Sequence, residues 1–192
     1  MSWLESIERH GDVESTMQLA LEAAEAGKPA GTTVVAKSQR AGRGRRGRSW
    51  YSPSEGGLWM TTLLHPHASR PSHTLSLVAG GAIWTALRQL GCPEAKLKWP
   101  NDVEAQGRKL AGILLEHTQL KSRPSESVVL VGIGLNLTSR GSLELPPELD
   151  ERYIGLDDLL PDTDYERVLT EVVSQLESVT AAWVRDGLGP TF

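Results

Sequence analysis

Arginine and glycine alternate between Gln39 and Trp50, and these residue types are suited to binding an anion. Residues 37–48 contain six basic residues and no acidic residue, whereas the whole chain has 20 basic and 24 acidic residues and a net charge of −4. Guanidinium groups bind carboxylate and phosphate oxygens through paired hydrogen bonds, and glycines let backbone amides approach a ligand closely. Positive charge is therefore concentrated in one segment of an otherwise acidic chain. The six basic residues are Lys37, Arg40, Arg43, Arg45, Arg46 and Arg48.

Composition leaves three interpretations of this segment open, which we call the Arg–Gly loop (residues 39–57). It could cover a small anionic ligand, remain a solvated basic loop, or bind RNA. Two features favour the ligand: the loop lies between two predicted strands, and it contains Trp50-Tyr51, whose rings could cover an apolar or adenine-like group. Because like charges repel, we expect a mobile loop that becomes ordered when an anion binds.

Two further segments carry polar residues at predicted turns and strand ends. Asn101 and Asp102 follow Pro100, and a turn is the simpler explanation for both. Lys109 enters a strand with Gly112 three residues later, which suggests a cation beside a closely approached ligand, although a hairpin lysine with a packing glycine explains the pattern equally well.

A third segment places two glycines, Gly132 and Gly134, inside an apolar strand. Glycine weakens a strand, so we expect another group to approach the backbone there. No helix and no third glycine follow, so this is not a dinucleotide-binding fingerprint. Asn136 either satisfies a backbone group or reads the edge of a base.

The hydrophobic pattern predicts the elements that must position these residues. Strands and helices are interleaved but several strands are consecutive, which indicates an α+β domain with a mixed β-sheet flanked by helices. Residues 1–192 are treated as a single domain, with Ser15 and Gln18 forming a capping box for the first helix. Helices are expected at about 15–26, 73–90 and 164–185, and strands before residue 13 and at 32–38, 58–64, 96–99, 103–106, 109–117 and 127–137, with residues 138–153 irregular and a hairpin turn at 107–108.

Composition also excludes several classes of protein. The lone Cys92 excludes an internal disulfide and a multi-cysteine zinc site. No apolar run approaches the roughly 20 residues of a membrane span, and the acidic N-terminus is not a signal peptide. The net negative charge does not favour general nucleic-acid binding. We therefore expect a cytoplasmic protein that binds neither membrane nor DNA.

Taken in order, four segments resemble the biotin–protein ligases: GRGRRGR (42–48), KWPNDV (98–103), RKLAGILLE (108–116) and GIGLN (132–136). The resemblance covers about residues 10–190 and implies a fold similar to the class II aminoacyl-tRNA synthetases. The sister lipoate ligases share that fold but carry a different glycine loop, so they are the alternative.

The resemblance implies an ATP-dependent ligase. Such an enzyme forms biotinyl-5′-AMP from biotin and MgATP, and then transfers biotin to one lysine of a biotin carboxyl carrier protein or domain of acetyl-CoA carboxylase or a related carboxylase. The implied cofactors are ATP and Mg²⁺; the ion comes with ATP, and no metal-binding residue is assigned. Relatives are often homodimers, and a homodimer is left open here.

The resemblance also assigns roles to matched residues. Lys109 and Arg45 would be catalytic at the reacting carboxylate and phosphate, and Asp102 would place or deprotonate the incoming amine. Biotin would be bound by Ser15, Thr16, Gln39, Gly42, Arg43, Lys109 and Gly112. ATP or the adenylate would be bound by Arg45, Arg48, Trp50, Asn101 and Asn136.

The sequence departs from the family pattern at three places. Glu14 and Met17 replace the outer residues of the Asp-Ser-Thr-Asn found in many members, so neither is assigned a ligand contact. The chain resembles the class without an N-terminal helix-turn-helix, and it ends before the C-terminal β-barrel of most members. A binding module that no longer catalyses is a further alternative, and the retention of both Lys109 and Asp102 argues against it.

Overall fold

One seven-stranded mixed sheet organises the residues that the structure describes, which are 2–66, 71–139 and 143–188 of a computed structural model. The strands are β1 (Ile7–Val13), β2 (Thr33–Gln39), β3 (Gly57–Leu64), β4 (Lys96–Lys98), β5 (Asp102–Ala105), β6 (Arg108–Gln119) and β7 (Ser127–Asn136). Their order across the sheet is β1-β2-β3-β7-β6-β5-β4. β1 runs parallel to β2, and the other neighbouring pairs are antiparallel.

Four α-helices and several short 3-10 turns complete the described fold. The helices are α1 (Thr16–Glu25), α2 (Leu75–Leu90), α3 (Pro147–Asp150) and α4 (Tyr165–Asp186). α1 begins at Ser15, whose hydroxyl accepts a hydrogen bond from the Met17 amide. The predicted capping box with Gln18 is wrong, because the Gln18 side chain donates to Glu22 instead.

The two faces of the sheet are covered unequally. On one face, α2 and α4 pack over the larger core, which includes Ile83, Val131 and Val172. On the other face, α1 packs on β2, β3 and β7, and Met17 lies in a smaller cluster that includes Leu130. α1 contacts only part of this second face, and the Arg–Gly loop lies over another part of it.

The turn between β6 and β7 is held against the end of α1. The Glu25 carboxylate accepts hydrogen bonds from the Lys121 and Ser122 amides, at 2.6 and 2.9 Å. Arg123 donates to the Ala24 carbonyl at 2.8 Å. The hydrogen bonds from Ser122 hold the pKa of Glu25 below its usual value, because they favour the carboxylate form.

The predicted α+β class and the order of elements are confirmed, with differences at the ends of elements. β6 extends to Gln119, and the β5–β6 turn lies at Gln106-Gly107, one residue earlier than predicted. Both turn residues have positive φ, at 52° and 75°, as a tight hairpin turn requires. The segment expected to be irregular contains α3, and its residues 140–142 lie outside the described part of the chain. No helix in that part is both long and apolar enough to cross a membrane.

The core under α2 gives a test of the packing. Ile83→Ala removes a fully buried side chain and should lower the free energy of unfolding by about 2–5 kcal/mol. Leu97→Ala is the control, since Leu97 is half exposed and its truncation should cost about 0.5 kcal/mol or less. Urea unfolding measures both, and equal losses would contradict this description of the core.

Candidate active site

A small pocket lies under the Arg–Gly loop, between the start of α1 and strands β6 and β7. It brings together residues that are far apart in sequence. Nine of the predicted site residues line it: Ser15, Thr16, Gln39, Arg43, Arg45, Trp50, Asn101, Lys109 and Gly112. Four do not: Gly42, Arg48, Asp102 and Asn136.

Two paired glycines form the floor of the pocket. Gly112 of β6 lies opposite Gly134 of β7 in the sheet, and the Trp50 indole lies flat against both. A Cβ at Gly112 would stand 2.7 Å from the ring, and one at Gly134 would overlap it. The group expected to approach this strand is therefore the protein's own tryptophan, with Met17 in the same position against Gly132.

Lys109 lies at the centre of the charged part of the site. Its ammonium is 2.8 Å from Asp102 Oδ1 and 4.9 Å from the centroid of the Trp50 ring. The Lys109 and Asp102 side chains are 35% and 24% exposed, so the pair is only partly shielded from solvent. Asp102 therefore stands behind Lys109 rather than in the pocket wall. The Lys109–Asp102 contact is an ion pair without hydrogen-bond geometry, so Asp102 Oδ1 and Trp50 Nε1 are both buried atoms that make no hydrogen bond among the described residues.

The backbone of Lys109 is fixed from two directions. Its amide donates to the Arg152 carbonyl at 2.6 Å, and its carbonyl accepts from the Ile154 amide and from Asn136 Nδ2, at 3.2 and 3.0 Å. Asn136 thus satisfies a backbone group, which was the simpler of its two expected roles. The contact between Asn136 and a base stays a prediction.

Tyr153 supports the same corner and was not predicted. It pairs with Lys109 in an isolated bridge, and its hydroxyl donates to the Thr138 carbonyl at 2.7 Å. Burial, reinforced by the charges of Asp157 and Asp158, raises the pKa of this phenol well above its usual value. The hydroxyl therefore stays protonated as a donor. No periodicity in the segment marks this tyrosine as part of the site.

The opposite end of the pocket is a network of uncharged polar groups. Gln39 Oε1 accepts from the Thr16 amide at 2.9 Å and lies 3.0 Å from the Thr16 hydroxyl. That hydroxyl is also 2.8 Å from Thr61, and Gln39 Nε2 donates to Ser52. Ser15 and Thr16 are buried. Neither Thr61 nor Ser52 was predicted as a site residue. Thr61 lies in β3, whose sequence pattern gave no functional signal, whereas Ser52 lies in the Arg–Gly loop.

The Arg–Gly loop folds back on itself over the pocket. Isolated bridges join Gln39 to Ser52 and Arg43 to Ser49. The Trp50 amide donates to the Gly42 carbonyl at 2.8 Å. A Cβ at Gly42 would stand 2.8 Å from the Ser52 hydroxyl, so this glycine is needed for packing within the loop rather than for lining the pocket. Ordering of the loop by an anion stays a prediction.

Three loop arginines contact fixed parts of the fold. Arg40 pairs with Glu14 at 2.7 Å, and Arg43 pairs with Glu116 of β6 at 3.1 Å. Arg45 donates to the side-chain oxygen of Asn101 at 2.8 Å. Asn101 in turn donates to the Ile113 carbonyl at 3.1 Å, so the amide links Arg45 to β6. No ion pair is recorded for Arg46 or Arg48 in the described part of the chain.

This fold and site belong to a known class. The family model described as the Biotin/lipoate A/B protein ligase family matches residues 11–136, and the chain belongs to that family. Its fold is the class II synthetase-like fold that the resemblance implied, with a TM-score of 0.81 and 32% identity to a structure of the biotin protein ligase from Aquifex aeolicus in complex with biotin and ATP. That match covers 95% of this chain and 73% of the other.

Two curated relatives of the chain carry the names of ligases. The chain is 32% identical over 161 residues to the bifunctional ligase/repressor BirA of Escherichia coli, covering 83% of this chain and 49% of BirA. It is 47% identical over 107 residues to the biotin–[acetyl-CoA-carboxylase] ligase of Paracoccus denitrificans, covering 54% of this chain and 43% of that protein. The chain thus spans about half the length of the curated relatives it matches.

Contact between Trp50 and the glycine floor gives a second test. Gly134→Ala should push the indole off the sheet and expose it to acrylamide quenching, because the added methyl group takes the place of the ring. The chain has six tryptophans, so the Trp50 signal is obtained by subtracting the same measurement on Trp50→Phe. Gly11→Ala in β1 is the control, since nothing lies within 4 Å of a Cβ there. Unchanged quenching in Gly134→Ala would contradict the contact.

Proposed function

We propose that this chain is the catalytic domain of a biotin–protein ligase, which joins biotin to the AMP part of ATP and then to a carrier lysine. The observation that carries the proposal is the position of Lys109, at one end of a pocket whose other end is uncharged and polar. A molecule with a carboxylate at one end and a neutral hydrogen-bonding ring at the other matches this distribution.

Charge in the pocket suits the first step. The biotin carboxylate attacks the α-phosphorus of ATP and pyrophosphate leaves, so two anionic groups must approach one another. Lys109 would offset that charge directly. Arg45 would assist, since its side-chain contact is to the neutral amide of Asn101. Cations held in place before the reaction are usually the largest contribution to catalysis of this kind.

Matched polar groups support biotin over lipoate. The ureido ring of biotin has two N–H donors and one carbonyl acceptor. The hydroxyls of Ser15 and Thr16, with the Gln39 amide, supply both kinds of partner at the uncharged end of the pocket. The dithiolane ring of lipoate forms no comparable hydrogen bonds, so it would gain no affinity from these groups.

ATP brings the metal ion in this proposal. Among the described residues, no group of three or more histidine, cysteine, aspartate or glutamate side chains is placed to hold a metal ion. Mg²⁺ would bind the phosphates of ATP, as is usual for this ion, while Arg45 and Arg48 contact the remaining phosphate oxygens. Trp50 and Asn136 would contact the adenylate.

Asp102 would act in the second step. The carrier amine must lose a proton as it attacks the carbonyl of the mixed anhydride, and AMP then leaves. The Asp102 carboxylate is 2.8 Å from the Lys109 ammonium, which in this proposal lies at the reacting carboxyl group. It would accept the proton or orient the amine while Lys109 contacts the departing phosphate.

Adenylate formation tests this function. Purified protein is incubated with ATP labelled at the α-phosphate and with biotin or lipoate, and the labelled adenylate is separated. We expect product with biotin. Lys109→Ala should slow its formation by about 100-fold or more while biotin binding remains measurable by calorimetry. Lys28→Ala, a lysine paired with Glu8 and outside the pocket, is the control.

Other outcomes would overturn parts of the proposal. Product with lipoate alone would place the chain with the lipoate ligases. Biotin binding without adenylate would indicate a binding module. Steeply salt-dependent RNA binding in place of both would indicate an RNA-binding Arg–Gly loop.

The carrier protein would bind beside the pocket. Residues 114–119 of β6 pair only with β7 in the described part of the sheet, so their other edge is open. A broad, open depression at this edge is lined by Arg45, which also lines the pocket, and by Trp99, which is 75% exposed. An open strand edge can pair with a strand of another chain. A carrier domain, or a second copy in a homodimer, would use this edge.

Trp99 allows carrier docking to be separated from the first step. Trp99→Ala should lower kcat/KM for transfer to the carrier by about fivefold or more, as for an exposed aromatic at the centre of an interface. Adenylate formation should not change. Val184→Ala, another partly exposed apolar residue but on α4, is the control. Equal transfer by both variants would contradict docking at this edge.

A further inference from the structure

The Arg–Gly loop crosses the sheet and is held on its far side. It leaves the sheet at the end of β2, and its Trp50 lies on Gly134 of β7 and Gly112 of β6. Since β3 and β7 separate β2 from β6, the loop reaches over both strands. The loop therefore forms a roof over the pocket. Its contacts with β6 determine whether the part of the loop that is distant from β2 stays closed over the pocket.

Two arginines of the loop, Arg45 and Arg43, have different partners: a neutral amide and a carboxylate. Arg45 is held by the neutral amide of Asn101, which leaves its charge uncompensated. Arg43 is paired with the Glu116 carboxylate at 3.1 Å, so its charge is already balanced by the protein. The contact with Glu116 takes up part of the hydrogen-bonding capacity of the guanidinium. The Arg43 side chain thus links the loop to β6.

Glu116 is placed on the pocket face of β6. It lies opposite Leu130 of β7, which packs in the α1 cluster on that face. Side chains two residues apart in a strand share a face, so Gly112, Leu114 and Glu116 form one row. Gly112 and Leu114 line the pocket, and Glu116 follows them at its edge. The Arg43–Glu116 contact therefore closes the roof beside Leu114.

We propose that Glu116 is a positioning residue that holds Arg43 and thereby keeps the roof closed over a bound adenylate. A closed roof keeps a hydrolysable anhydride in the site and away from water until the amine arrives. The retention of adenylate rests on the proposed function, whereas the holding of the loop does not.

Exposure sets the size of the effect. The Arg43 and Glu116 side chains are 46% and 35% exposed, and an ion pair this exposed changes an equilibrium by about two- to fivefold. The equilibrium that changes is the opening of the loop and not global unfolding, because Glu116 contributes little to the core. Loss of the pair should therefore alter loop opening without altering the unfolding midpoint.

Hydrogen exchange on the ligand-free protein tests the contact without any catalysis. Glu116→Gln keeps the shape of the side chain and removes its charge, and it should raise exchange of the hydrogen-bonded loop amides, Gly44 and Trp50, about two- to fivefold. Glu166→Gln is the matched control, since it breaks a half-exposed pair with Arg9 that involves neither Arg43 nor the Gly44 and Trp50 amides. Equal exchange in wild type and Glu116→Gln would overturn the proposal.

The rate at which the adenylate is released tests whether the closed loop retains it. Labelled adenylate is formed on the enzyme and then chased with unlabelled substrates. Release from Glu116→Gln should be about two- to fivefold faster, with a smaller change in the rate of formation. Arg43→Glu alone should also release faster, and the reversed pair Arg43→Glu/Glu116→Arg should recover retention. Two results together would overturn the role of Glu116. The reversed pair would release adenylate as fast as Arg43→Glu, and Glu116→Gln would release it as slowly as wild type.

Failure of the two proposals would look different. If wild type forms no adenylate, the proposed function fails, and hydrogen exchange still decides whether Glu116 holds the loop. If adenylate forms and is retained equally by all variants, the function stands and the positioning role of Glu116 fails.

Discussion

Everything in the site depends on holding one ammonium group, that of Lys109, beside a floor of bare backbone. The floor exists because two glycines face each other across β6 and β7. Lys109 lies at the end of this floor because β6 begins there. Three hydrogen bonds, two to backbone groups and one from the Asn136 side chain, fix its peptide groups. Side chains at the two glycine positions would displace the Trp50 indole that lies beside Lys109, and a freely moving lysine would lose its preorganisation.

Around this centre the fold separates charge from neutral polarity. The start of α1 and the end of β2 contribute Thr16 and Gln39, which satisfy one another. The β4–β5 turn contributes Asn101, which holds a guanidinium without neutralising it. The same sheet therefore offers hydrogen-bond partners at one end of a pocket and positively charged side chains at the other, and the Arg–Gly loop covers both.

Much of this could be predicted from sequence because the signals were local. Periodicity located the strands and helices, and the glycine and arginine spacing marked the loop. Other features could not be predicted, because they depend on which strands become neighbours. Nothing in the sequence alone placed Trp50 on Gly134, paired Arg43 with Glu116, or brought Tyr153 beside Lys109. The Asn101 turn was expected for its geometry, while its hold on Arg45 required the fold.

The clamp on the β6–β7 turn has a consequence for the distant pocket. Antiparallel strands joined by a short turn inherit their register from it, and a slip of one residue turns every side chain to the other face. Such a slip would put Ala111 or Ile113 opposite Gly134 and would move Lys109 to the helix-covered side. Glu25 and Arg123 touch no ligand-facing residue. By holding the turn they nevertheless fix the register of β6 against β7, on which the site depends. Insertions near residues 120–126 should be as damaging to the pocket as changes within it.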